Sequence, residues 1–265
     1  MQLYSIASGS SGNCIYVGTK ESGILIDVGI SMKRIREGLV QEGLALESMK
    51  AILITHEHSD HVSGLGPVLR KVPIPVFATR ETIDAIWEKG NMDQIDENLF
   101  HEIAPEEEFL IGDIRVMPFS TFHDAANPVC FTLNDDHKKI GIATDTGCYT
   151  PNMVDHLREC HSLFLEANHD INLLQVGKYP YALKMRILGE KGHLSNDACA
   201  RFVQELLHSG LQYVVLGHLS QENNFPELAY NTVAYELEKN EDWNMLDTEL
   251  LVAHRKEPTK LLTIQ

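Results

Sequence analysis

The sequence predicts an α/β protein of four layers, with two β-sheets packed face to face and helices on both outer surfaces, an αβ/βα sandwich. Two observations predict it. Short apolar runs alternate with amphipathic helical stretches in both halves of the chain, and no Pro/Gly-rich linker, repeat or low-complexity tract separates them. One domain over residues 1–265 is therefore expected, a length that suits a single sizeable core.

The first half opens on strands. Tyr4–Ala7 and Cys14–Val17 are apolar runs joined by the small-residue loop Ser8-Gly9-Ser10-Ser11-Gly12-Asn13, and Gly23–Val28 reads as a third strand. Ser31 is a helix N-cap for Met32–Glu42, which Gly43 stops. Ala51–Thr55 is an apolar strand, Val62–Lys71 a helix ended by Pro73-Ile74-Pro75, Pro75–Ala78 a short strand and Arg80–Lys89 a helix. Strands Ile114–Pro118, Val129–Asn134 and Lys139–Ala143 follow, the last two joined as a hairpin around Asp135-Asp136. The second half repeats the alternation: helix Pro151–Glu159, strand Ser162–Glu166, a helix capped by Ser195 and closed by Gly210, strand Tyr213–Leu216, and helix Pro226–Lys239.

Composition sets the class. Hydrophobic residues at 43% and charged residues at 23% are ordinary for a soluble globular protein. No run of about 18 apolar residues and no leader pattern is visible, so no membrane span or signal peptide is expected, and a cytoplasmic protein is. Cys14, Cys130, Cys148, Cys160 and Cys199 are scattered, odd in number and never spaced as CxxC, which reads as free thiols in a reducing compartment. The net charge of −16 speaks against a polyanionic partner. Total charge decides less than the local field at a site, where a substrate is met.

The chemistry is announced by Thr55-His56-Glu57-His58-Ser59-Asp60-His61, directly after the apolar run Ala51–Ile54. Three imidazoles and a carboxylate in six positions are hard to explain as packing, and both types ligate zinc, manganese and iron. A sharp turn at a strand end lets His56 and His58 face one point while Asp60 and His61 face another, the arrangement of a two-metal site. Further ligands are needed, and three metal-competent residues stand where a buried strand opens into a loop: His123, Asp145 and His218.

With these residues in view, the chain resembles the metallo-β-lactamase superfamily. Its HxHxDH pattern stands as His56-x-His58-x-Asp60-His61, and its later His, Asp and His match His123, Asp145 and His218 in order. The resemblance implies that His56, His58 and His123 hold one ion, that Asp60, His61 and His218 hold the other, and that Asp145 bridges them. It implies two divalent ions, zinc or manganese with iron a further candidate. The loop Ala7–Cys14, the stretch Leu165-Glu166-Ala167-Asn168-His169-Asp170 and Gly192-His193-Leu194-Ser195-Asn196 resemble more closely the YycJ/WalJ branch, which is regarded as 5′→3′ DNA exonucleases. More distantly the chain is similar to ribonuclease Z and to cyclic phosphodiesterases, and it lacks the long inserted β-CASP domain of the larger nucleases.

The resulting expectation is a phosphodiesterase, acting on DNA from the 5′ end, with a metal-bridging hydroxide as nucleophile. The alternative is a small-molecule hydrolase, for a cyclic phosphodiester, lactone or thioester, built on the same site. His193 is the candidate acid for the leaving alkoxide, by likeness to ribonuclease Z-type enzymes and because imidazole titrates in the right range. Glu166 is the candidate to keep it protonated, and Asp27 is the candidate to hydrogen-bond the outer nitrogen of a ligating His. Lys178, Tyr179, Lys184 and Arg186, in a loop that concentrates cations and aromatics, are candidates to grip phosphates and stack a base. His169 is read as a hydrogen-bonded structural residue, and His101, His137, His156, His161, His208 and His254 as surface residues. No obligate protein partner is evident.

Overall fold

A computed structural model describes residues 1–265. β1 (Gln2–Ala7), β2 (Cys14–Gly18) and β3 (Gly23–Ile26) form an antiparallel meander. α1 (Met32–Gln41) leads to β4 (Met49–Leu53), parallel to β3. The short helices α2 (Ser59–Val62) and α3 (Leu65–Leu69) lead to β5 (Val76–Ala78), and α4 (Arg80–Glu88) to β6 (Phe100–Glu102), each strand added in parallel. The second sheet opens with antiparallel β7 (Phe109–Ile111), β8 (Ile114–Ser120), β9 (Val129–Asn134) and β10 (Lys139–Ala143). After α5 (Pro151–Leu157), β11 (Ser162–Glu166) joins in parallel. Helices α6 (Ile171–Val176), α7 (Tyr181–Leu188) and α8 (Asn196–Glu205) then precede β12 (Tyr213–Gly217). Helices α9 (Pro226–Leu237) and α10 (Glu241–Asn244) precede β13 (Glu249–Val252), and β14 (Leu262–Thr263) returns to the edge of β1.

Each sheet has seven strands, in the orders β14-β1-β2-β3-β4-β5-β6 and β13-β12-β11-β10-β9-β8-β7. The alternation of side chains along a strand builds the layers. Ile24 and Ile26 of β3 meet Phe131, Leu133 and Ile142 of the other sheet in the central apolar layer. Leu25, one step out of phase, packs with Ile35 and Leu39 of α1 on one outer face, and Leu163 and Leu165 pack with Phe202 and Val203 of α8 on the other. Three apolar layers between four layers of secondary structure give the expected αβ/βα sandwich.

The structure departs from the sequence reading in several places. Val62–Lys71 is not one helix: it breaks at Ser63-Gly64 into α2 and α3. Gly64 lies so close to the backbone of Val28 and Ile30 that a Cβ would sit 2.1 Å from the Ile30 carbonyl oxygen, and its N–H donates to the Val28 carbonyl rather than to a helical partner. The third strand ends at Ile26 rather than Val28, because Asp27 turns into the left-handed region at φ 58. The basic-aromatic loop is in large part helix α7, which buries no residue and whose propensity no amphipathic pattern advertised. Strands β6, β7, β13 and β14 are two to four residues long and carry no alternation to be read. His156 and His208 are not free surface residues: His156 bonds Glu106 at 2.6 Å, and His208 bonds the Cys160 carbonyl at 2.9 Å. No helix is long and apolar enough to cross a membrane.

Candidate metal centre and active site

The C-terminal ends of β3, β4, β8, β10, β11 and β12 open onto one edge of the sandwich, and each delivers a polar residue there. Beyond β4 the chain turns through Thr55 into α2, whose cap is His58. Asp27 and His218, the residues just past β3 and β12, and Asp145, two past β10, all have positive φ (58, 54 and 56), which swings the side chains out of the strand direction toward a common point.

The donor atoms gather in groups. Those of His56, His58 and His123 lie within 4.8 Å of one another, as do those of Asp60, His61 and His218. Asp145 stands between the groups. Its Oδ1 is 3.6 Å from His123 Nε2 and 3.5 Å from His218 Nε2, and its Oδ2 is 3.3 Å from His61 Nε2.

The outer nitrogens of His56, His61, His123 and His218 are occupied, which fixes how these four rings face. His61 Nδ1 donates to Asp27 Oδ2 at 2.7 Å, His218 Nδ1 to Glu166 Oε1 at 3.0 Å and His123 Nδ1 to the Gly192 carbonyl at 3.0 Å. Thr55 Oγ1 donates to Asp27 Oδ2 and so accepts from His56 Nδ1 at 3.0 Å. The remaining nitrogens therefore present lone pairs to the centre. His123 Nε2 lies 3.3 Å from His58 Nδ1, and His218 Nε2 lies 3.3 Å from Asp60 Oδ2. Buried His56 Nε2 and Asp145 Oδ2 have no hydrogen-bond partner. Lone pairs that converge on lone pairs and carboxylates call for a cation, so the donor set fits divalent metal.

The electrostatics of the site say the same. Burial disfavours charge on His218, yet the Asp145, Asp60 and Glu166 carboxylates outweigh it and push the imidazole up to about 10. His61 is likewise driven well above its usual range, against burial, by Asp145 and Asp27. His56 moves well below, through burial and then the neighbouring imidazoles of His61, His123 and His58. A proton is the substitute where the chain's carboxylates demand positive charge.

Beside this cluster lie His193 and Glu166. Glu166 is fully buried at the end of β11 and accepts from His193 Nδ1 at 2.7 Å as well as from His218. Its second oxygen accepts the Thr146 N–H at 2.9 Å. Burial opposes its ionisation, but His193 and His218 hold its carboxyl well below the usual range. Glu166 in turn raises the His193 pKa against the effect of burial. His193 lines a cavity of about 190 Å³ with Tyr179 and Arg186. Arg186 forms an ion pair with Asp124, next to His123. The structure does not bring Lys178 or Lys184 to this cavity: Lys178 is exposed, and Lys184 Nζ donates to the Gln175 carbonyl at 2.7 Å. His169 is buried, but neither ring nitrogen has a hydrogen-bond partner, so it is not the bonded structural residue expected.

Three supporting residues were missed by sequence reading. Asn13 accepts the Gly9 N–H at 2.8 Å, and its Nδ2 lies 3.1 Å from His61 Nε2. Asn168 donates to the His218 carbonyl at 2.9 Å. The Glu57 carboxylate accepts the Ala126 N–H at 3.0 Å and so ties the loop after His123 to the first cluster. Asn13 and Asn168 lie in stretches that the sequence marks out, but nothing local says that their amides face histidines.

Comparison with known proteins places this geometry. The sequence profile of the metallo-beta-lactamase superfamily matches residues 7–218. The chain is 36% identical over 234 residues to the exodeoxyribonuclease YycJ of Bacillus anthracis, covering 88% of each chain. It is 37% identical over 235 residues to the exodeoxyribonuclease WalJ of Streptococcus pneumoniae, covering 88% of this chain and 87% of the relative. The crystal structure of the metallo-beta-lactamase fold protein YhfI from Bacillus subtilis superposes over 98% of this chain with a TM-score of 0.69 at 13% identity, a likeness of fold alone. The chain belongs to the metallo-beta-lactamase superfamily, as a relative of the YycJ and WalJ proteins.

Proposed function

We propose that the protein is a metal-dependent exodeoxyribonuclease that hydrolyses DNA phosphodiesters from the 5′ end. In this reading His56, His58 and His123 would hold one divalent ion and Asp60, His61 and His218 a second, with Asp145 placed between the two groups. The observation that carries it is the Glu166–His193 pair, 2.7 Å apart, set beside a complete His/Asp donor set. Likeness over most of the chain to two proteins named exodeoxyribonucleases supplies the substrate class.

Divalent ions held there would supply a nucleophile from water near neutral pH and neutralise charge on the phosphate. The chain's own residues do the rest. Asp27, Glu166 and the Gly192 carbonyl orient the ligating rings through their outer nitrogens. The ionised Glu166 accepts a hydrogen bond from His193 Nδ1–H and stabilises the imidazolium, whose Nε2 proton passes to the departing 3′ oxygen. Tyr179 and Arg186 bind substrate at the cavity mouth, and Lys178 and Lys184 contribute only a diffuse positive field. The whole chain acts as one hydrolase unit.

Purified protein with manganese is expected to degrade a 5′-phosphorylated duplex, and His58→Ala and Asp145→Ala to lose on the order of 10³-fold in kcat/KM. His193→Ala is expected to lose about 10²-fold or more on DNA and much less on bis(p-nitrophenyl) phosphate, whose leaving group needs no acid. A wild type that leaves DNA intact but hydrolyses that ester or a thioester would establish the small-molecule reading instead.

A further inference from the structure

A second cavity adjoins that of His193. Ser220 lines both, and Ser10, in the wall of the first, is 3.3 Å from a guanidinium nitrogen of Arg255 in the wall of the second. The second cavity measures about 390 Å³, within the range that takes one small ligand. Its wall is unexpected in a chain of net charge −16. Arg255 is partly buried and donates only to uncharged oxygens: the Leu219 carbonyl at 2.8 Å, Ser10 Oγ at 3.3 Å and Gln221 Oε1 at 3.4 Å. Burial lowers its pKa, and no carboxylate offsets that cost. Lys256, the next residue, is exposed in the same wall, and Phe225 presents its ring there at 49% exposure. Glu257 is the one acidic side chain lining the cavity. A partly buried guanidinium that no carboxylate bonds, beside a reaction centre, fits an anion.

We propose that this cavity binds the 5′-terminal nucleotide of the strand being degraded, with Arg255 and Lys256 on its 5′-phosphate and Phe225 against its base. The inference rests on the phosphodiesterase reading above and deepens it. Attack at the second phosphate of the strand breaks the bond between phosphorus and the 3′ oxygen of the first nucleotide. The bonding electron pair leaves on that oxygen, which takes its proton from His193. The departing nucleotide thus lies on the His193 side, and its own 5′-phosphate lies one sugar further out, toward Arg255. A terminal phosphate carries about −1.5 to −2 charge at neutral pH, more than the single charge of an internal diester, so an unneutralised Arg–Lys pair selects the strand end. Phe225 adds sequence-tolerant stacking. Together these contacts set the polarity of digestion and release nucleotides singly.

The test compares 5′-phosphorylated and 5′-hydroxyl oligonucleotides, with bis(p-nitrophenyl) phosphate as a substrate that lacks a neighbouring nucleotide. Wild type is expected to prefer the 5′-phosphate by about tenfold or more in kcat/KM, the size of one charge-assisted bond. Arg255→Ala should collapse that preference to under about threefold, Arg255→Lys should keep most of it, and Lys256→Ala should weaken it by about threefold. Phe225→Ala should slow both oligonucleotides about tenfold and leave their ratio unchanged. Because Arg255 also clamps the Leu219 carbonyl, Lys256→Ala and Phe225→Ala carry the test if Arg255→Ala misfolds. No 5′-phosphate preference in the wild type, or an unchanged preference in Arg255→Ala and Lys256→Ala, overturns the subsite while DNA cleavage stands. Equal loss on all three substrates in Arg255→Ala reduces that residue to a clamp and also overturns it. A wild type that cleaves neither oligonucleotide defeats the nuclease reading itself.

Discussion

Asp27 shows how much a single side chain organises at this centre. Its two oxygens accept the Thr55 N–H and hydroxyl, both at 2.9 Å, and the His61 Nδ1–H at 2.7 Å. Asp27→Asn keeps the shape but turns one acceptor into a donor facing His61. Metal affinity is expected to fall about 10- to 100-fold, read by equilibrium dialysis, with the fold intact by circular dichroism. His169 makes a different case. It is 1% exposed, and burial lowers its pKa to about 4. A histidine titrating near 6.5 unfolded and near 4 folded binds its proton more readily unfolded. Stability is therefore full above about pH 6.5 and falls toward pH 4, by up to about 3 kcal/mol from this residue. His169→Phe is expected to flatten that part of the stability–pH curve in denaturant titrations; an unchanged slope would mean that the ring is not held neutral.

At the scale of elements, the site depends on how closely the turns after the strands stack. Gly29, in the turn beyond β3, lies under α2: a Cβ there would sit 1.6 Å from the Asp60 carbonyl oxygen. Gly29 also donates to the Asn13 carbonyl at 2.8 Å, and Asn13 N–H donates to the Asp60 carbonyl at 2.8 Å. Gly29→Ala is therefore expected to push α2, and with it Asp60 and His61, out of place. The expected cost is about 2–4 kcal/mol of stability and most of the metal content, checked by thermal melting and metal analysis. The long strands and capped helices were legible in the sequence because period and cap chemistry are local. Ser195, for example, caps α8 by accepting the Ala198 N–H at 3.2 Å. The break at Gly64 and helix α7 were not, because each depends on what the rest of the chain sets against it.

For the whole molecule, the centre is a clasp between the two sheets. His56, His58, Asp60 and His61 follow strand β4 of the first sheet, whereas His123, Asp145 and His218 follow β8, β10 and β12 of the second. The carboxylates of Asp60, Asp145 and Glu166 converge on His218 across that seam, negative charge that a bound cation would offset. Chelation is expected to lower the melting temperature by about 10 °C, the effect of losing a ligand held near a thousand times its Kd in a chain of this size, and added metal should restore it. The thiols are a second global property. Cys14, Cys130, Cys160 and Cys199 are buried and only Cys148 is partly exposed. Burial raises all five thiol pKa values. At about pH 8 a disulfide reagent is expected to titrate no more than one thiol in the native protein and all five after denaturation.

The sequence by itself determined the sandwich, the seven candidate ligands and the pairing of His193 with Glu166 as candidates. Apolar periodicity, strand-end placement and an uncommon density of His and Asp are all local signals that survive in one dimension. Only the tertiary structure decided which nitrogen of each ring turns inward, because that depends on acceptors such as Asp27 and the Gly192 carbonyl from distant parts of the chain. It also withdrew Lys184 to a backbone carbonyl and brought Arg255, 62 positions after His193, to the cavity beside it. Charge and shape at a site are sums over residues that folding brings together, and no local pattern in the chain records those sums.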